Sequence, residues 1–101
     1  MSHRSQRSQT RHDAEIRRIA RSFTKRHYEV KADVSGFQRP DTLGGYRPDV
    51  VAKKGRERKI VEIETPESID SARDLHQQQA FQSAAKRSVQ TTFTRKIVRY
   101  S

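Results

Sequence analysis

The sequence contains no cysteine, which excludes disulfide bonds and thiolate metal sites. It also lacks any apolar run as long as a membrane span, and any hydrophobic segment of the kind found in signal peptides. We therefore expect a soluble, intracellular (cytoplasmic) protein with no membrane partner. A chain of 101 residues is expected to form one small domain with a single modest core.

Acidic residues are scarce relative to basic ones. The chain has 12 Asp and Glu against 22 Lys and Arg, which gives a formal net charge of +10 at pH 7. A charge of this sign and size favours polyanionic partners, of which DNA, RNA and anionic membrane surfaces are the obvious classes. No small-molecule cofactor is expected.

Residues 1–12 form a polar segment with three arginines, no acid and no apolar periodicity. This composition predicts a basic, disordered N-terminal arm, with phosphate contact as an additional function. The remaining residues, 13–101, are expected to form the single folded domain.

From Asp13 the pattern becomes helical. Apolar residues recur at positions i, i+3, i+4 and i+7 between Ile16 and Phe23, which is typical of an amphipathic helix. Thr10 or Asp13 is the candidate cap at its start.

The rest of the chain indicates three strands, a second helix and a last strand. Two of the strands are joined by the polar segment KKGRER and predict a tight antiparallel hairpin. The resulting order, α-β-β-β-α-β, predicts an α/β fold with a central mixed β-sheet flanked by helices. The first three strands are predicted at 27–34, 47–52 and 58–64, and the last strand within 89–100. The second helix is predicted at 68–86, with Ser68 or Asp70 as its cap.

The stretch RPDVVAKKGRERKIVEIET, residues 47–65, places carboxylates inside the most apolar strands of a basic chain. Glu62 and Glu64 point to the same side of their strand, and a short hairpin brings Asp49 close to Glu62. Three carboxylates on one face repel each other and resist burial, whereas a hard cation such as Mg²⁺ or Mn²⁺ relieves both problems. Such a metal activates water and stabilises negative charge on a phosphodiester. The alternative is that these acids only pair with neighbouring Lys or Arg on an exposed face.

The same stretch resembles the PD-(D/E)xK nuclease superfamily. Pro48-Asp49 matches the first half of the motif, and Glu62-Ile63-Glu64 matches the second half, with Glu64 where the superfamily has Lys. The resemblance covers roughly residues 13–99.

The order of elements is similar to that of archaeal Holliday-junction resolvases. Their early helical Glu corresponds to Glu15 here, and their Ser-Gly region corresponds to Ser35-Gly36. In the second helix, Gln77 and Phe81 resemble the Gln-x-x-x-aromatic element that several related exonucleases place beside the metal.

The resemblance implies a restriction-endonuclease-like fold. It also implies a divalent-metal-dependent nuclease, either an endonuclease or an exonuclease, that hydrolyses phosphodiester bonds of DNA. The implied cofactor is Mg²⁺ or Mn²⁺. Glu64 would hold the water or a second metal, and Gln77 would orient a ligand or a phosphate. The implied catalytic residues are Asp49, Glu62, Glu64, Glu15 and Gln77. The implied metal ligands are Asp49, Glu62, Glu64 and the backbone carbonyl of Ile63.

The departure at Glu64 keeps a second hypothesis open. Glu64 cannot supply the positive charge of the usual Lys, although some restriction enzymes carry Glu at this position. Lys53, Lys54 or Lys59 is a candidate replacement for that charge. The alternative function is a non-catalytic nucleic-acid-binding domain with a degenerate nuclease fold.

DNA is the expected partner, bound through its phosphate backbone without sequence readout. RNA, and junction, free-end or duplex substrates, remain alternatives, and a homodimer is compatible with this fold class. The residues expected to contact nucleic acid are Arg17, Arg18, Arg47, Lys53, Lys54, Arg56, Arg58 and Thr65.

Overall fold

The computed structural model describes residues 6–65 and 72–98. Its elements follow the predicted order α-β-β-β-α-β, and the fold class is confirmed. The elements are α1 (Gln6–Lys25), β1 (Glu29–Ala32), β2 (Val50–Lys54), β3 (Glu57–Glu64), α2 (Ala72–Lys86) and β4 (Thr91–Ile97).

The four strands form one mixed sheet in the order β1-β2-β3-β4. The pairs β1–β2 and β2–β3 are antiparallel, and β4 joins β3 in parallel. Lys54 pairs with Glu57, so the predicted hairpin turns through the two residues between them. A parallel neighbour needs a crossover connection, and α2 lies in the connection between β3 and β4.

Each face of the sheet is covered by one helix. Val61 and Ile63 of β3 point to the α1 face, where they pack in a cluster with Ile16. Ile60 points to the other face and packs with Phe81 of α2. This alternation along β3 places Glu62 and Glu64 on the α2 face.

The first helix begins seven residues earlier than predicted, at Gln6 rather than Asp13. The predicted disordered arm is therefore wrong from residue 6 onward, and residues 1–5 lie outside the described part. Thr10 and Asp13 are inside the helix and do not cap it. The physical reason is His12, which lies one turn before Ile16 on the same stripe, is buried, and extends the packed face toward the N-terminus.

The outer face of α1 is basic, with Arg18, Arg21 and Lys25 exposed. Neither helix, over the ranges 6–25 and 72–86, is long and apolar enough to cross a membrane. The predicted caps of the second helix, Ser68 and Asp70, fall outside the described residues.

The second helix runs antiparallel to β3 and β4. Its Phe81 packs with Ile60 and Phe93, which are register partners on these two strands. Its Asp74, two turns earlier, reaches Arg95, which lies two residues further along β4. The N-terminal part of α2 therefore lies over the carboxyl end of β3.

Candidate active site

Two buried carboxylates meet at the carboxyl end of β3. Asp49 directly precedes β2, and the β2–β3 register pairs the next residue, Val50, with Val61. Continuing this register by one residue places Asp49 opposite Glu62. The two side chains are hydrogen-bonded to each other, and Asp49 is 8% and Glu62 4% exposed. The predicted approach of Asp49 to Glu62 is thus present, and we call these two residues the acid pair.

Asp49 is held by three groups on two elements, His12 on α1 and the Ile63 amide and Glu62 on β3. Its Oδ2 accepts a hydrogen bond from the backbone amide of Ile63 at 2.8 Å and lies 3.3 Å from Nε2 of His12 on α1. Burial by itself raises the pKa of Asp49, but the hydrogen bonds to His12, Glu62 and the Ile63 amide outweigh it and hold the pKa below its ordinary value.

The backbone carbonyl of Ile63 points toward β2, the side on which Asp49 lies. In a strand, the N–H and C=O of one residue point to one neighbour, and those of the next residue point to the other. The backbone carbonyl of Glu64 accepts a hydrogen bond from the Val98 amide, on the β4 side, at 2.8 Å. The N–H and C=O of Ile63 therefore point toward β2, and the N–H already reaches Asp49 there.

Glu64 is buried on the same face as Glu62, but it does not complete a three-carboxylate centre. Within residues 6–65 and 72–98, no group of three or more Asp, Glu or His side chains is arranged to hold a metal. The predicted ligand set is thus reduced to the acid pair and the Ile63 carbonyl. Mg²⁺ is commonly bound by one or two carboxylates, with water and substrate phosphates completing its shell, and this donor set fits that pattern.

Glu15 does not take the predicted position beside the metal ligands. Its carboxylate is bound by Arg18 at 2.5 Å and by Lys96 of β4 at 2.6 Å. These contacts hold the pKa of Glu15 at about 2, chiefly through the hydrogen bond from Arg18. The α1 residue that reaches Asp49 is His12, one turn earlier. Its position on the stripe, four residues before Ile16, was the sequence signal that could have identified it.

The α2 side of the site contains a charge pair that the sequence did not reveal. Asp74 is buried in the first turn of α2, and its Oδ2 accepts hydrogen bonds from Arg95 at 3.0 Å and from Gln78 at 3.1 Å. Gln77 is half-buried and lies on the same stripe of α2, between Asp74 and Phe81. This position is on the sheet-facing side of the helix, as the prediction for Gln77 requires.

The lysines considered as replacements for the missing cation lie elsewhere. Lys53 is four residues along β2 from Asp49, which corresponds to about 13 Å, and Lys54 is one residue further. The ammonium of Lys54 donates to the Arg26 carbonyl at 3.0 Å. Lys59 lies on the α1 face of the sheet and pairs with Glu57 at 3.2 Å. None of the three is placed next to the acid pair.

Basic side chains line a groove between α1 and β4, on the opposite face of the sheet from α2. All four charged residues that line the groove are cations, and its floor is apolar. We call this surface the basic groove; it is lined by Arg18, Ile19, Ser22, Phe23, Arg26, Lys59, Val61, Thr94 and Lys96.

The predicted nucleic-acid contacts are divided among several surfaces. Arg18 lines the basic groove, and Lys53, Lys54 and Arg56 are exposed on the β2–β3 hairpin. Arg58, with Lys53, lines a separate pocket beside β1.

The other three predicted contacts either bind another group of the protein or are buried. Arg17 donates to Oγ of Ser35 at 2.8 Å, and Arg47, which is half-buried, donates to the backbone carbonyl of Pro40. Thr65 is completely buried. The predicted phosphate contact of Thr65 is therefore wrong for this structure, because DNA on the surface does not reach a fully buried hydroxyl.

Comparison with known proteins gives one family. The family is AHJR-like (REase_AHJR-like), and its sequence model matches residues 3–89. These residues include both helices and the acid pair. No curated protein matches the chain.

Proposed function

The chain belongs to the REase_AHJR-like family, restriction-endonuclease-like proteins akin to archaeal Holliday-junction resolvases, and from this premise we propose that it is a divalent-metal-dependent DNA nuclease. The observation that carries the proposal is the acid pair of Asp49 and Glu62, buried at the carboxyl end of β3. Two adjacent buried carboxylates are costly to the fold, and such groups occur where function requires them.

The proposed metal ligands are Asp49, Glu62 and the carbonyl of Ile63. When bound, Mg²⁺ or Mn²⁺ would supply a Lewis acid that lowers the pKa of a water molecule and offsets charge on the phosphate. His12 and the Ile63 amide would keep Asp49 oriented by their hydrogen bonds to its Oδ2.

The basic surfaces support DNA as the substrate. The cations of the basic groove and of the β2–β3 hairpin offer contacts to phosphates, which bind without reading the base sequence. Lys96 of the groove is the register partner of Ile63, so the groove lies on the α1 face of the sheet and reaches the carboxyl end of β3, the end at which the acid pair lies on the α2 face. We propose that it directs the DNA backbone to the site.

The test is a cleavage panel with Mg²⁺, Mn²⁺ or Ca²⁺ on single-stranded DNA, duplex DNA, a four-way junction and RNA. We expect cleavage with Mg²⁺ or Mn²⁺ and its loss in Asp49→Asn and Glu62→Gln, while DNA binding persists. The matched control is Glu57→Gln, which removes a more exposed carboxylate from the same strand. Absence of cleavage by the wild-type protein on every substrate, together with no change of its Tm in Mn²⁺, would refute the proposal.

The second candidate function is a nucleic-acid-binding domain without catalysis. It is favoured by Glu64 at the position of the usual Lys, and by the lack of a three-ligand group among the described residues. It predicts DNA binding that weakens steeply with salt, and no cleavage with any metal. The same panel therefore separates the two functions.

A further inference from the structure

We propose that Arg95, anchored by the buried carboxylate of Asp74, is the cation that contacts the scissile phosphate in this site. This inference rests on the proposed nuclease function and assigns to Arg95 the positive charge that Glu64 cannot provide.

The first observation is the position of Arg95 on β4. In the parallel β3–β4 register, Arg95 is the partner of Glu62. Neighbouring strands lie about 4.8 Å apart, so the two backbones are in direct contact at this level. Phe93, two residues before Arg95, packs on the α2 face, and alternation places Arg95 on that same face with Glu62.

The second observation is the anchor. The side chain of Asp74 is only 3% exposed, and its Oδ2 accepts a hydrogen bond from Nη2 of Arg95 at 3.0 Å. A buried carboxylate fixes the orientation of the guanidinium, whose planar fork keeps further N–H groups available. The Arg95 side chain is 26% exposed, so part of it can be reached from outside.

The third observation is an unsatisfied donor. Nε of Arg95 is buried and makes no hydrogen bond with any residue that the structure describes. A buried Nε without a partner leaves the guanidinium incompletely satisfied, and a phosphate oxygen is a strong acceptor for its more exposed N–H groups.

The other cations near the acid pair are less suited to contact a phosphate. His12 has both ring nitrogens directed at carboxylates, Nδ1 at Asp13 and Nε2 at Asp49. Lys96 lies on the opposite face of the sheet, where it binds Glu15. Arginine stays protonated at all working pH values, so Arg95 would stabilise charge on the phosphate in the transition state and would not act as a base.

The test is single-turnover cleavage at saturating DNA with Mn²⁺ or Mg²⁺, with the dissociation constant measured separately in Ca²⁺. Arg95→Gln should lower the cleavage rate on the order of 100-fold and change the dissociation constant far less. Arg95→Lys should recover part of the rate, and guanidinium ion should stimulate Arg95→Ala specifically. The control, Arg87→Gln, removes an exposed arginine beyond the far end of α2 and should cut at the wild-type rate.

Because Arg95→Gln leaves Asp74 buried without its cation, the variant can lose stability. The double variant Asp74→Asn/Arg95→Gln replaces the ion pair by a neutral amide pair, and its fold is checked by circular dichroism and Tm. A folded single or double variant that cuts as fast as the wild type overturns the assignment of Arg95 while the nuclease function stands. If the wild-type protein itself cuts no substrate, the nuclease function fails and the assignment fails with it.

Discussion

Nε2 of His12 lies 3.3 Å from Oδ2 of Asp49, across 37 positions of sequence. This contact connects the start of α1 to the carboxyl end of β3 and makes a residue of the supposed N-terminal arm part of the candidate site. Because both groups are buried, the contact is expected to contribute to stability as well as to the geometry of the acid pair.

We expect His12→Ala to destabilise the protein by about 1–3 kcal/mol, since it removes a hydrogen-bond partner from a buried carboxylate. Urea unfolding at pH 7 measures the effect. His76→Ala, which truncates an exposed histidine of α2, is the control and should change the free energy of unfolding by less than about 0.5 kcal/mol. Equal, small effects in the two variants would contradict a structural contribution of His12.

We expect Glu62→Gln to leave the free energy of unfolding unchanged, or to raise it by up to about 1 kcal/mol, because one buried acid is removed while a hydrogen bond to Asp49 is still possible. The same variant should lose any rise of Tm caused by Mn²⁺. Paired thermal melts with and without Mn²⁺ measure both effects. A Mn²⁺-induced rise that is fully retained in Glu62→Gln would exclude this residue as a ligand.

Glu15 should contribute a pH-dependent stability. Its pKa is lowered from 4.5 to about 2 by the hydrogen bond from Arg18, against the effect of burial, and by Lys96. A lowered pKa in the folded state stabilises the protein above pH 4.5, and this contribution is lost as the pH falls toward 2. We expect Glu15→Gln to cost about 1 kcal/mol at pH 7.

Urea unfolding at pH 7, 4.5 and 2.5 measures whether the stabilisation by Glu15 falls as the pH is lowered. The difference in free energy of unfolding between the wild type and Glu15→Gln should shrink as the pH is lowered through this range. A difference that stays constant with pH would show that the ion pairs of Glu15 are not its source.

Gly44 packs the loop before β2 against α2. A Cβ at this position would lie 2.9 Å from the Cβ of Ala80, and the backbone φ is +59°. We expect Gly44→Ala to cost about 1–3 kcal/mol through overpacking in addition to backbone strain. Gly45→Ala is the matched control, because φ is also positive there (+85°) but the space is open. Equal losses of Tm in the two variants would show that backbone strain alone accounts for the effect.

The basic groove should account for part of the salt dependence of DNA binding. We expect the double variant Arg26→Ala/Lys59→Ala to weaken binding to all DNA sequences alike, and to reduce the slope of log K against log salt by about 2, one for each lost phosphate contact. Fluorescence anisotropy at several salt concentrations measures the slope. Lys86→Ala/Arg87→Ala, at the far end of α2, is the control with equal charge loss. If both double variants lower the slope equally, the groove has no special part in binding.

Much of the architecture was predictable because it follows from local periodicity. The alternation in β1 and β3, the polar turn after Lys54 and the stripe from Ile16 to Phe23 each occupy adjacent positions, so the pattern of apolar residues is enough to identify the elements. The start of α1 was missed because a histidine was not counted as part of the apolar face. It is buried because Asp49 accepts its hydrogen bond, and Asp49 is distant in sequence.

By itself, the sequence determined the α-β-β-β-α-β order, the net charge of +10 and the proximity of Asp49 to Glu62, since a short hairpin leaves little freedom of register. Only the tertiary structure decided which side chains surround that acid pair. His12 comes from α1, and Asp74 with Arg95 comes from the α2–β4 side, because packing the two helices on opposite faces brings these elements to the same end of β3. Packing also directed Glu15 to Lys96 instead of to the acid pair. Contacts of this kind depend on how whole elements are arranged in space, and the periodicity of a single segment does not predict that arrangement.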